Sequence, residues 1–464
     1  MNGADRVAPP PMMSVEELAA AVNGALHGAA ASFSGVTTDS RRVGAGDLFV
    51  AISGERFDGN DYVAEAAARG AVAALTSRRT DAGMPLPQVV VADTRSALGR
   101  LAAHWRDRFS LPVVALTGSN GKTTVKEMLA SILAAHCDGR APVLATEGNL
   151  NNDIGMPLTL LGLREKHRYA VIEMGMNHAG EIDYLTRIAR PAVALVTNAH
   201  RAHVGILGSV DAIARAKGEI YGGLAPSGIA VVNEDDAFAS FWKDLNAHRR
   251  VVTFGLAESA GVRASFEGRR MRIVTPVDAF AVMLQVAGEH NVRNALAACA
   301  VAHALEIPPH AMQAGLAAFA GVPGRLQRRA LAAGGVVIDD TYNANPESMK
   351  AAIRVLAAEP GRRVFVMGDM GELGGAAREL HAEVGAFARA HKLDALLALG
   401  ADSAAAAEAF GPGARHFTAV EALLDAARAE AAAGATLLVK GSRFMKMERV
   451  ADALAGSGAG SHAA

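Results

Sequence analysis

The run Thr117-Gly118-Ser119-Asn120-Gly121-Lys122-Thr123-Thr124 constrains this chain more than any other stretch. It follows the apolar residues 112–116 and precedes residues 125–135, whose apolar spacing predicts a helix. A strand, a glycine-rich turn and a helix start make an anion site. Backbone N–H groups across Gly118, Ser119, Asn120 and Gly121 point at a phosphate, and the helix dipole favours negative charge there. Lys122 can reach the outer phosphates, and the hydroxyl of Thr123 or Thr124 can hold magnesium. The expectation is a protein that handles a nucleoside triphosphate. The loop is not the strict Walker form, because Leu116 stands where that pattern needs a glycine. A plain glycine turn capping an ordinary helix is the alternative, and Gly-Lys-Thr-Thr is unusual chemistry for one.

At 464 residues the chain has room for about three domains. It is 51% hydrophobic and 20% charged, a globular composition. A net charge of −1 gives no basic footprint for nucleic acid, so no nucleic-acid partner is expected. Cys137 and Cys299, its two cysteines, lie far apart without metal-ligand spacing, which suits a reducing cytosol. Residues 1–13 are polar and proline-rich, with no signal layout, and no apolar run approaches the roughly 18 residues that span a bilayer. These features predict a cytoplasmic protein with no membrane insertion, and we expect a monomer.

Short β-like runs alternate with alanine-rich helical stretches over residues 14–110, as in a small α/β domain. Leu111-Pro112 marks the first boundary. Apolar strands then alternate with helices, at residues 113–116, 170–173, 192–197, 229–232 and 251–254. Such alternation predicts a mostly parallel sheet with helices on both faces. Residues 262–284 read as antiparallel, and an alanine-rich helix is expected from 291 to 305. Gly321-Val-Pro-Gly-Arg325 is the second break. Beyond it the α/β pattern resumes, with strands at 335–338, 363–367, 395–399 and 435–439, and a disordered tail is expected over 456–464. The fold class is therefore α/β in three domains, at residues 1–111, 112–322 and 323–464, the middle one holding the phosphate loop.

Four further groups carry chemistry. Glu173 ends an apolar strand, where open α/β sheets gather ligands and where a carboxylate commonly holds magnesium; a surface carboxylate is the other reading. His200 and His203 follow the next strand, and as a pair they also fit an ordinary loop. Lys217 falls within the apolar stripe Ile213, Ile220, Tyr221, Leu224 of a helix expected over 211–224. A lysine there either snorkels or faces a site. A bare ammonium would repel magnesium, whereas carbamylation by carbon dioxide would make an anionic oxygen ligand. Finally, Asp339-Asp340-Thr-Tyr342-Asn343-Ala-Asn345-Pro346 closes a strand and opens a helix. Its Asp and Asn residues fit either caps and turns or a ligand cleft.

In their order along the chain, these groups resemble the Mur ligase family. The resemblance rests on residues 118–126, Asn149-Leu-Asn151-Asn152-Asp-Ile-Gly-Met-Pro157, Glu173-Met-Gly-Met-Asn-His-Ala-Gly-Glu-Ile182 and Ala216-Lys-Gly-Glu-Ile220. His290-Asn-Val-Arg-Asn294, Pro323-Gly-Arg325 and residues 339–346 complete it, over about residues 35–450. It implies a UDP-sugar-binding first domain, a central ATPase and a Rossmann-like third domain that closes over the site. Within the family, Ala-Lys-Gly-Glu-Ile and Tyr-Asn-Ala-Asn-Pro resemble the member that joins D-alanyl-D-alanine to a UDP-N-acetylmuramoyl-tripeptide.

The resemblance also implies residue roles. Lys122 would contact the outer phosphates of ATP. Thr124, Glu173 and His203 would bind magnesium, with Lys217 as a carbamylated support. Asn291 and Asn294 would read adenine, and Arg325 and Asp340 would reach the nucleotide. Thr38, Asp39, Ser40 and Arg41 match the nucleotide-sugar segment, while Asn60 replaces a usual histidine. Asn149, Asn151, Asn152, Tyr342, Asn343 and Asn345 would lie beside the substrates. The implied chemistry is phosphorylation of a carboxylate by ATP, then attack by an amine. Competing readings are a sibling ligase, folylpolyglutamate synthetase, or a non-catalytic nucleotide-binding module.

Overall fold

The structure, a computed structural model, describes residues 10–81, 85–202, 204–331 and 335–456. The chain forms two compact units, one of Met1–Ala115, Ala141–Gly175 and Asp183–Ala192, the other of Leu116–Arg140, Met176–Ile182 and Val193–Ala464.

In the first unit β1 (Ala25–His27), β2 (Gly35–Thr37), β3 (Asp47–Val50), β4 (Ala73–Thr76) and β5 (Gln88–Val90) form a sheet in the order β1-β5-β4-β3-β2. Only β1 pairs antiparallel. The helix Thr94–Arg106 follows, started by the Asp93 carboxylate, which accepts from the N–H of Arg95 at 2.9 Å. The unit also contains the start of β6 (Val113–Thr117) and the parallel pair β7 (Val143–Ala145) and β8 (Tyr169–Glu173). All five residues of β6 are buried, so it reads as a continuous apolar run and not as an alternation.

In the second unit the end of β6 is followed by β9 (Val193–Val196), β10 (Ile229–Asn233), β11 (Val251–Gly255), β12 (Val262–Glu267), β13 (Arg270–Val274) and β14 (Ala279–Met283). They lie in the order β14-β13-β12-β11-β10-β9-β6. β9 to β12 pair parallel, and β12 to β14 antiparallel, as the sequence predicts. In β13, Met271 and Ile273 are buried while Arg270 and Arg272 are exposed. That alternation marks a sheet face open to water. Three helices bear on the site: α1 (Lys122–His136), α2 (Val210–Gly218) and α3 (Glu289–Ala304).

A second sheet closes this unit: β15 (Gln327–Ala330), β16 (Val336–Asp340), β17 (Arg363–Gly368), β18 (Ala395–Leu399), β19 (Ala414–Phe417) and β20 (Thr436–Lys440), ordered β15-β16-β20-β17-β18-β19. All pair parallel except β15. Ile338, Phe365, Leu396 and Leu438 pack on one face with α4 (Pro346–Ala357) and α5 (Ala377–Ala390). Val337, Val364, Leu397 and Leu437 pack on the other, giving the doubly covered sheet expected of such runs.

Sequence and structure differ in one helix end and in two edge strands. The helix expected over 211–224 ends at Gly218 and tightens into a 3-10 turn, Glu219–Gly223. Gly218, Gly222 and Gly223 weaken the α-helix there. The edge strands β15 and β19 go unanticipated, because edge strands carry polar residues such as Gln327, Arg328 and Arg415. The tail expected over 456–464 lies, after Gly456, outside the described residues. Among the described residues no helix is long and apolar enough to cross a membrane.

Candidate active site

The phosphate loop joins β6 to α1, and its shape follows from two glycines. Gly118 has φ +151° and Gly121 φ +83°, values that side chains resist. A Cβ on Gly118 would stand 1.8 Å from Thr197 Oγ1, and one on Gly121 2.3 Å from Asn294 Oδ1. Gly121 is the N-cap of α1, whose first-turn N–H groups open towards the loop. The loop leans on the segment after β9. Ser119 N donates to Asn198 O (3.0 Å), Asn120 N to Asn198 Oδ1 (2.9 Å) and Thr197 Oγ1 to Asn120 O (2.7 Å). Ser119 Oγ exchanges bonds with the backbone of His200, and the His200 ring meets Asn120 Nδ2 at 3.2 Å. Burial holds the His200 pKa below its usual value. Backbone and side chains together preset an anion cradle.

Cations gather around it. Lys122 Nζ donates to Gly118 O at 2.7 Å. Arg325 Nη2 donates to Thr123 Oγ1 at 2.8 Å, and its guanidinium stacks 4.2 Å above the Tyr342 ring. Arg325 Nε is buried without a hydrogen-bond partner among the described residues. A buried, unpaired guanidinium N–H beside the phosphate loop fits an incoming anion. Lys217 is 1% exposed on α2. Burial first, and the nearby charge of Lys122 second, push its pKa well below the lysine range. Both effects favour the neutral amine over the ammonium. Its place on the apolar stripe is where the periodicity puts it.

The C-terminal cluster divides between support and site. Asn345 is the N-cap of α4, accepting from Ser348 N at 2.9 Å, while its Nδ2 donates to Asn120 Oδ1 at 2.7 Å. It is both a cap and a neighbour of the phosphate loop. Asp340 accepts from Lys440 Nζ (2.6 Å) and Leu326 N (3.2 Å). Lys440, only 3% exposed, also donates to Asn343 O at 2.9 Å. Sequence reasoning missed Lys440, a hundred residues away from its partner. Removing one partner of a buried ion pair costs about 3–5 kcal/mol. Calorimetry of Lys440→Ala should show a loss of that order, and an added Asp340→Ala should recover part of it; two curves matching the parent would contradict this.

Asn291 and Asn294 are buried on α3 and joined by a 3.2 Å bond. His290 beside them is pushed down to about 4 by desolvation and by Lys440, Arg354 and Arg293. Between about 4 and the ordinary value of 6.5 the unfolded chain takes a proton that the folded chain refuses. Stability should therefore fall as pH drops through that window. Thermal midpoints of His290→Asn should decline less steeply there than the parent's; parallel curves would contradict it.

In the first unit Glu173 is 2% exposed, fixed by Asn151 Nδ2 on Oε1 (2.8 Å) and by its own N–H on Thr146 Oγ1 (2.9 Å). Asn152 Oδ1 caps the next helix through Gly155 N (2.8 Å), and Asn149 is exposed. Thr38, Ser40 and Arg41 surround Asp39, whose carboxylate is pulled down to about 2 by the Arg41 fork at 2.8 Å. Asn60 is 3% exposed and ties Asp58 (2.7 Å) to Ser77 (2.9 Å), an inward task for which its amide suffices. His203 lies outside the described residues. Among those described, no group of three or more His, Cys, Asp or Glu can hold a metal. The buried hydroxyl of Thr124 in the second unit and the buried carboxylate of Glu173 in the first are each hard oxygen donors of the kind that suits magnesium.

A preset anion cradle between a buried parallel strand and a helix defines an α/β phosphate-loop protein. Comparison with known proteins narrows this class. The Mur ligase middle domain matches residues 116–302, the Mur ligase glutamate ligase domain residues 324–443, and the Mur ligase catalytic domain residues 32–106. The UDP-N-acetylmuramoyl-tripeptide–D-alanyl-D-alanine ligase of Escherichia coli (strain K12) is 44% identical over 454 residues, covering 96% of this chain and 99% of that protein. The Bacillus subtilis (strain 168) protein of the same name is 36% identical, covering 90% and 92%. A crystal structure of MurF from Acinetobacter baumannii superposes with a TM-score of 0.89 at 39% identity, over 95% of this chain and 98% of that one. MurF of Thermotoga maritima in complex with ADP gives 0.78 at 28%, over 91% and 97%. The chain belongs to the Mur ligase family.

Proposed function

We infer that this chain ligates D-alanyl-D-alanine to UDP-N-acetylmuramoyl-tripeptide at the expense of ATP, yielding the UDP-linked pentapeptide precursor of peptidoglycan, ADP and phosphate. The observation that carries this reading is 44% identity, across nearly the full length of both chains, to a ligase of that name. The anion cradle at Thr117–Thr124 supplies the chemistry such a ligase needs. The working place is the cytoplasm, and the protein acts as a monomer on small-molecule substrates.

The domains run over residues 1–111, 112–322 and 323–464, with UDP-sugar, ATP and dipeptide as their respective charges. Thr38, Asp39, Ser40 and Arg41 hold the nucleotide-sugar. Gly118, Ser119, Asn120, Gly121, Lys122, Thr123 and Thr124 cradle the phosphates, and Asn291 and Asn294 take the adenine. Asp340 serves the nucleotide through its grip on the 326 backbone beside Arg325. Asn149, Asn151 and Asn152, with Tyr342, Asn343 and Asn345, border the peptide substrates. Thr124, Glu173 and His203 would hold magnesium, which would supply positive charge against the phosphate oxygens. Lys217 would take up carbon dioxide: its neutral amine forms an N–C bond as one C=O π bond of carbon dioxide opens, a proton leaves to solvent, and the carbamate oxygen would offer an anionic donor.

A carboxylate does not react with an amine in water until its carbonyl is activated. The tripeptide carboxylate oxygen attacks the γ-phosphorus and ADP departs, leaving an acyl phosphate. The dipeptide amine then attacks the carbonyl carbon, loses a proton, and phosphate leaves from the tetrahedral intermediate. Phosphoryl transfer of this kind depends on positioning and charge neutralisation, so no serine or cysteine nucleophile is needed. Lys122 and Arg325 neutralise the charge that spreads over the transferring group. Phosphate release measured with UDP-tripeptide tests the assignment. Release should require D-alanyl-D-alanine; release driven instead by glutamate or a single amino acid would transfer the chain to a sibling activity.

A further inference from the structure

The segment after β9 carries one cation that the chemistry above leaves unused. Arg201 Nε donates to Glu347 Oε1 at 2.5 Å, and its Nη1 and Nη2 donate to Glu383 Oε2 and Oε1 at 2.8 and 2.9 Å. Glu347 lies in the first turn of α4 and Glu383 in α5, so one side chain grips both helices. Lys350, one turn along α4, pairs with the same Glu383 carboxylate. The three side chains Arg201, Glu347 and Glu383 are only 25–34% exposed. Bidentate arginine–carboxylate geometry in a partly buried network resists the screening that makes isolated surface pairs weak.

A second contact brings the same two layers together. Gly205 N donates to Glu372 O at 2.9 Å, and a Cβ on Gly205 would lie 2.5 Å from Gly374 N. The backbones meet so closely that only glycine fits. Glu347 follows Asn345 by two residues, and Asn345 touches Asn120 of the phosphate loop. The start of α4 thus touches the phosphate loop.

We propose that Arg201 is a positioning residue, a docking clamp whose fork on Glu347 and Glu383 sets the α4 N-terminus, with Asn345 and Tyr342, against the phosphate loop. It touches neither nucleotide nor peptide. The proposal rests on the ligase reading for its kinetic consequence and on the geometry alone for its structural one. Arg201→Gln should lower kcat roughly tenfold, the scale on which small misplacements act, with little change in the ATP KM. Glu383→Gln should do the same.

Hydrogen exchange separates the two inferences. Amides over residues 343–349 should exchange faster in Arg201→Gln than in the parent, whatever reaction the protein catalyses. Unchanged exchange, or a kcat within twofold of the parent in both single variants, would overturn the clamp. Faster exchange in Arg201→Gln, with no substrate-dependent phosphate release from the parent, would spare the clamp and sink the ligase reading.

Discussion

Lys122→Ala should cost ligation about two to three orders of magnitude, the usual consequence of removing one preorganised donor from a charged transition state. The expectation follows from position. Lys122 is the first residue of α1, and its ammonium already sits over the loop, 2.7 Å from Gly118 O. Arg325, the other cation described beside the loop, is engaged with Thr123 and Tyr342. The loss should fall mainly on kcat, because charge on the transferring phosphoryl group spreads most in the transition state. Steady-state phosphate release and direct nucleotide binding check it together. A kcat/KM within threefold of the parent would overturn the reading of the loop as the phosphate clamp.

Lys217→Ala should abolish turnover nearly completely, and added acetate or formate should restore part of it. A lysine this deeply buried gains nothing from charge: desolvation and the neighbouring Lys122 both favour the neutral amine. The neutral amine is what captures carbon dioxide. The carbamate so formed would place negative charge where an ammonium would repel magnesium. A short carboxylate entering the space left by alanine reproduces that charge and its oxygens. Turnover of the alanine variant near the parent's, in buffer freed of carbon dioxide, would contradict the carbamate. Restoration by primary amines in place of carboxylates would point to a cationic role instead.

The parts of the site that could be read from sequence were local. The strand, the two glycines at positive φ and the helix start follow one another within a dozen residues, so their chemistry is visible in order. Lys217 was legible because helical periodicity alone places it among Ile213, Ile220 and Tyr221. The antiparallel hairpin β13–β14 was legible because its arginines alternate with buried Met271 and Ile273.

What remained hidden was pairing across distance. Asp340 reads in sequence as a carboxylate near a ligand, and its ion pair with Lys440, at the end of β20, could not be read there. Asn345 admits two readings in sequence, cap or site, and the fold uses both ends of one amide. Arg201 and its two glutamates are separated by 146 and 182 residues, and nothing in their local spacing announces them. Asn60 illustrates the reverse case. Its departure from histidine suggests a changed ligand contact, yet it serves to join two loops.

The claim on which the rest depends is that the tripeptide carboxylate is phosphorylated before the amine attacks. Supplying UDP-tripeptide labelled with oxygen-18 in the reacting carboxylate, with ATP and D-alanyl-D-alanine, tests it directly. One labelled oxygen should appear in each phosphate released, since the bridging oxygen leaves with phosphorus when the amide forms. Phosphate released without label, in step with amide formation, would contradict the acyl phosphate and the account built on it.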